Sequence, residues 1–113
     1  MKEVKIKPSF YAHCYEILKR IAFTYGYNLV LHGSMDRDLD LIAIPWEEDV
    51  KSVKKMLSQF CKVLNGTIHR GKNEKPHGRV VYIIDLDRAD FTGDGSQYYL
   101  DISVMPTVKR KTQ

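Results

Sequence analysis

Two aspartates, Asp38 and Asp40, interrupt a run that otherwise reads Leu39, Leu41, Ile42, Ala43 and Ile44. The run is short and β-branched enough to predict a strand over residues 38–44. Both of its parities are mostly apolar apart from the acids, which predicts an inner strand covered on both faces. Charged side chains are seldom buried unless they are paired or bind a metal. On a strand, residues i and i+2 share a face with Cα atoms about 6.6 Å apart. Two carboxylates at that spacing can converge on one divalent cation, or hold two cations about 3.5–4 Å apart. Gly33-Ser34 stands just before them, separated by Met35, Asp36 and Arg37.

The flanking sequence predicts the frame for this strand. Pro8-Ser9 opens a helix in which Cys14, Ile17, Leu18, Ile21 and Tyr25 fall at helical spacing, and Gly26 closes it. A short strand follows over residues 27–32. Pro45-Trp46-Glu47-Glu48-Asp49 reads as a second helix start, its acids suited to the positive end of the helix dipole. Val50, Val53, Met56, Leu57, Phe60 and Leu64 form its stripe, and Asn65-Gly66 ends it. Residues 67–70 form a weak strand, and residues 71–78 a loop. Strands over 79–86 and 98–105 are joined by a segment with the turn signal Gly93-Asp94-Gly95-Ser96, so they form an antiparallel hairpin. The expectation is an α+β domain: a mixed sheet of four to five strands, with two main helices packed mainly on one face.

With 113 residues the chain makes one domain, residues 1–113, with flexible ends over 1–8 and 107–113. A net charge of +4 fits a polyanionic partner without requiring one. The basic run Lys109-Arg110-Lys111 reads as a solvated tail. Cys14 and Cys61 fall on helix stripes and read as buried thiols, which points to a reducing, cytoplasmic setting. No signal core or membrane-spanning stretch is present in the sequence.

Residues 98–105 carry one acid, Asp101, on the face of Tyr99, Ser103 and Met105. Beside the strand of Asp38 and Asp40, it would complete a patch of three carboxylates, the oxygen ligands that Mg²⁺ or Mn²⁺ prefers. Asp85 is a rival for the third position. The bland alternative makes Asp38 and Asp40 a surface pair on an edge strand, balanced by Arg37 or Arg79. Asp36 reads as a turn residue, Ser34 as a turn residue or a phosphate contact, and His32 as a packed histidine rather than one lining the site. His69 and His77 lack the neighbours a zinc site needs. P-loop, dinucleotide-binding and nucleophile-elbow motifs are all absent from the sequence.

On Gly33-Ser34, Asp38-Leu39-Asp40 and Asp101, together with the element order, the chain resembles the nucleotidyltransferase fold. That superfamily includes DNA polymerase beta, aminoglycoside nucleotidyltransferases and the small bacterial minimal nucleotidyltransferases. The resemblance implies that Gly33 and Ser34 contact phosphate. It also implies that Asp38 and Asp40 bind metal, and that Asp101 is a further ligand or the base. The link from Gly-Ser to the first aspartate is shorter here than in the family, and there is no room for its helical domain.

The implied activity is Mg²⁺-dependent transfer of a nucleotidyl group from an NTP to a hydroxyl. The acceptor is left open among a protein, a small molecule and an RNA, as is a homo-oligomer or partner domain. Arg37, Arg70, Lys72, Lys75 and Arg79 are the expected phosphate or nucleic-acid contacts. The alternative is a non-catalytic module of the same fold that binds nucleic acid or a protein through its basic loop.

Overall fold

The computed structural model describes residues 6–74, 78–86 and 97–107, with backbone alone for Ile6 and residues 69–74. The fold is α+β, two helices and one five-stranded mixed sheet. In chain order it runs α1 (Ile6–Thr24), β1 (Tyr27–His32), β2 (Asp38–Pro45), α2 (Val53–Leu64), β3 (Gly66–Glu74), β4 (Val80–Leu86) and β5 (Tyr98–Val104). Across the sheet the order is β1-β2-β5-β4-β3. Every neighbouring pair is antiparallel except β2 and β5, which run parallel.

Pro8 lies in the first turn of α1, where its missing N–H would have no helical partner anyway. The helix therefore begins ahead of the predicted Pro8-Ser9 start. Its buried stripe is Tyr11, Cys14, Leu18 and Ala22, shifted from the predicted one, with Ile17, Ile21 and Tyr25 only half-buried. Gly26, at φ +92°, turns the chain into β1, and its carbonyl accepts from the Trp46 N–H at 2.9 Å.

The second helix starts later than its acids suggested. Glu47, Glu48 and Asp49 lie ahead of it, and Ser52 is the N-cap, its side chain accepting from the Lys55 N–H at 3.4 Å. Cap chemistry at Ser52 outweighs the dipole preference of three acids that are exposed where they stand. Asn65 closes α2 in the left-handed conformation, as predicted. The predicted loop over 71–78 is also corrected in part. β3 continues to Glu74, irregularly, with register shifts on either side of Arg70. The turn signal at Gly93-Asp94-Gly95-Ser96 lies outside the described residues, but the antiparallel pairing of β4 with β5 is present.

The helices supply Tyr11, Leu18, Met56, Leu57 and Phe60 to a core against Leu29, Leu39, Leu41, Ile84, Leu100 and Ile102 of the sheet. The opposite sheet face has no helix among the described residues. β2 is thus an inner strand, as expected, but only Leu39, Leu41 and Ala43 are fully covered. Asp38, Asp40 and Ile42 face the other way and are half-buried. That half-open face leaves the aspartate carboxylates partly accessible. Cys14 and Cys61 form no disulfide; Cys14 is buried as expected, whereas Cys61 is only half-buried. No described helix is long and apolar enough to cross a membrane.

Candidate metal centre

The parallel register sets Asp40 beside Asp101 and Asp38 beside Tyr99. Strand partners share a face, so all three acids stand on the open side. One oxygen from each lies within 4.8 Å of the others, and each residue is partly buried. An all-oxygen set at this separation suits a hard divalent cation.

Asp85 is not part of this group. It stands in the row Asp38, Tyr99, Asp85, Thr67, so Tyr99 separates it from Asp38. Two strand spacings are about 9.6 Å, twice the step from Asp40 to the strand of Asp101. The neighbouring row reads His32, Asp40, Asp101, Ile83, Arg70. His32 is exposed at the end of β1 rather than packed, which corrects the expectation for it.

Asp40 is electrostatically strained. Partial burial pushes its pKa above the usual carboxylate value, and the charges of Asp38 and Asp101 push it further. A positive His32 acts in the opposite sense. Among the described residues, no ion pair joins Asp38 or Asp40 to Arg37 or Arg79. The edge-strand alternative fails too, because β2 lies between β1 and β5.

The turn between β1 and β2 is tight. Gly33 has φ +82° and Met35 φ +64°, so two of its residues are left-handed. A β-carbon at Gly33 would meet Oδ2 of Asp40, which places the turn backbone against the carboxylate. Ser34 is exposed, and its hydroxyl oxygen accepts from the Asp36 N–H at 3.3 Å, a turn-closing bond. Its proton is still available to donate.

Tyr11 ties this turn to β5. Its hydroxyl donates to the Arg37 carbonyl at 2.9 Å and accepts from the Tyr99 N–H at 3.0 Å. Burial pushes the phenol pKa well up, so the hydroxyl stays protonated and keeps both bonds. Helical spacing alone does not single out Tyr11. The signal was a tyrosine at helical spacing before Cys14, since a buried phenol needs a partner for its hydroxyl.

Beside Asp38 lies an open cleft of about 570 Å³ lined by Lys7, Arg37, Gln97 and Tyr99 as well as Asp38 itself. Tyr99 donates its hydroxyl to the Gln97 side-chain carbonyl along one wall. Arg37 thus lines the cleft beside Asp38, and so does Lys7, which the sequence did not single out. Arg79 reaches Ser103, with Nη1 3.4 Å from Oγ. Arg70 and Lys72 are placed by backbone only, on β3, and Lys75 lies outside the described residues. Apart from Arg79, the basic-loop expectation concerns side chains that are not described. Comparison of the chain with protein-family models and with curated proteins gives no match.

Proposed function

We propose that this chain is a small nucleotidyltransferase-fold protein that moves a nucleotidyl group from an NTP to a hydroxyl acceptor. The observation that carries the reading is the convergence of Asp38, Asp40 and Asp101 within 4.8 Å, from two adjacent parallel strands. Crowding that raises the proton affinity of Asp40 is the kind of repulsion a bound cation relieves. These three residues would hold Mg²⁺ or Mn²⁺.

In the proposed reaction the acceptor oxygen attacks the α-phosphorus in line. A P–O bond forms, the bond to the bridging oxygen of the β-phosphate breaks, and pyrophosphate leaves. The acceptor proton passes to a carboxylate, for which Asp101 is the candidate. A divalent cation supplies neutralisation of phosphate oxygens and a lowered pKa for the attacking hydroxyl. Arg37 and Lys7 line the cleft beside Asp38, Gly33 lies against the Asp40 carboxylate, and Ser34 follows it in the turn; together they would supply cationic, N–H and hydroxyl contacts for phosphate. The two thiols support a reducing, cytoplasmic setting. The acceptor is a protein, a small molecule or an RNA, and a partner domain or second copy would supply the grip on it.

Calorimetric titration with an NTP, with and without Mg²⁺, tests the reading. Binding should require the metal and weaken strongly in Asp40→Asn. One observation favours a second reading, a non-catalytic module binding nucleic acid. The turn is short, and the Asp36 N–H is taken by Ser34 rather than left to a phosphate. Metal-independent RNA binding that falls steeply with salt, with no NTP binding, would establish that reading and retire the first.

A further inference from the structure

We infer that Tyr11 is a positioning residue for the cation site: its hydroxyl is the strut that holds the two acid-bearing strands at ligand distance. This rests on the reading of Asp38, Asp40 and Asp101 as that site. The two groups it bridges are not arbitrary points on the strands. Arg37 is bonded through its carbonyl and immediately precedes Asp38, while Tyr99 is bonded through its amide, stands opposite Asp38 and lies two residues before Asp101. One oxygen atom thus links the backbone on both sides of the carboxylate group.

The strut is itself held rigidly. Tyr11 is fully buried, its ring packs edge-on against Tyr98 with centroids 5.5 Å apart, and Phe10 stands 6.0 Å from it. Phe10 and Tyr98 meet edge-on at 5.0 Å, closing a three-ring cluster beneath the start of β5. A rigid ring sets where its hydroxyl sits, and the hydroxyl sets how far the turn stands from β5. Groups that orient metal ligands from behind typically change metal affinity by about 10–100-fold when removed.

Tyr15 provides the control, because it makes the same kind of bond away from the site. Its hydroxyl donates to the Leu29 carbonyl at 2.9 Å, on edge strand β1. Mn²⁺ binding is measured by calorimetry, alongside Tm, for the full chain, Tyr11→Phe and Tyr15→Phe. Both variants should lose some Tm. Tyr11→Phe alone should bind Mn²⁺ at least about tenfold more weakly. Wild-type affinity in Tyr11→Phe overturns the inference, and so does equal weakening in both variants, which would mean general loosening. A wild-type chain that binds no Mn²⁺ overturns the cation-site reading itself, a separate and recognisable failure. Should Tyr11→Phe not fold, hydrogen exchange on the wild-type chain reads the same link. Mg²⁺ should slow exchange of the Tyr99 amide more than exchange at the far end of β2, and equal slowing overturns the inference.

Discussion

Gly33 and Asp40 are fitted to each other: a β-carbon on Gly33 would stand 2.8 Å from Oδ2 of Asp40, closer than such atoms approach. The glycine also holds φ +82°, where side chains are strained. Gly33→Ala should therefore cost about 1–2 kcal/mol of stability from the backbone term. The steric conflict has a cheaper exit, because a carboxylate can swing aside. That exit takes Asp40 out of the ligand group. Calorimetry should show divalent-cation binding lost or severely weakened in a variant that still unfolds cooperatively.

Repulsion among three acids is a liability that a cation relieves. Mg²⁺ or Mn²⁺ should raise the Tm of the wild-type chain by binding the native state alone, a stabilisation of about 2.7 kcal/mol at 100 times Kd. Asp38→Asn together with Asp40→Asn should abolish that rise, yet leave the metal-free chain at least as stable as wild type. Thermal melts with and without metal read both effects. Outright unfolding of the double variant would make the acids structural and end the metal reading.

Acid titration gives a third check. The folded pKa of Asp40 is raised above its unfolded value, so the native state holds that proton more tightly than the unfolded chain does. Its ionised form costs stability above the folded pKa. The cost shrinks as pH falls through that value and vanishes below the unfolded one. Denaturant melts should show Asp40→Asn more stable than wild type at neutral pH, with the gap closing on acidification across that window. Cation binding should weaken over the same window, starting at a higher pH than for an ordinary carboxylate.

The start of α2 can be tested by capping. Ser52→Ala should lower stability by about 0.5–1 kcal/mol, near the lower end for N-caps because its bond to the Lys55 N–H is long at 3.4 Å. Glu47→Gln and Glu48→Gln should each change it by less than about 0.5 kcal/mol, since both side chains are exposed ahead of the helix. Denaturant melts would rank the three, and a larger loss at Glu47 would restore the earlier helix start.

These cases show what the chain displays in one dimension. Alternation made Asp38 and Asp40 legible as neighbours on a face, and a lone acid in an apolar strand made Asp101 legible as their companion. Element order predicted two helices on one side of a mixed sheet, and both are present. What local pattern could not carry was anything decided between distant segments. The role of Tyr11 depends on a hydroxyl meeting two backbone groups from different strands. His32 reads as packed until the register of β1 on β2 sets it opposite Asp40. The exclusion of Asp85 needs the sheet order, because spacing along the chain says nothing about how many strands intervene. The α2 error has another origin, since acids are compatible with a helix start without specifying one.

The single parallel pairing has a consequence for timing. Antiparallel β1 and β2 are neighbours in sequence and can zip together as soon as both leave the ribosome. Asp101 reaches Asp40 only across α2, β3 and β4, through the slowest kind of contact to form. Until β5 docks, Asp38 and Asp40 are an acidic pair on an unfinished sheet, too sparse a ligand set to hold a cation firmly. On the proposed cation reading, a nascent chain would be spared premature metal capture, and occupancy of the site would report that folding has reached the fifth strand.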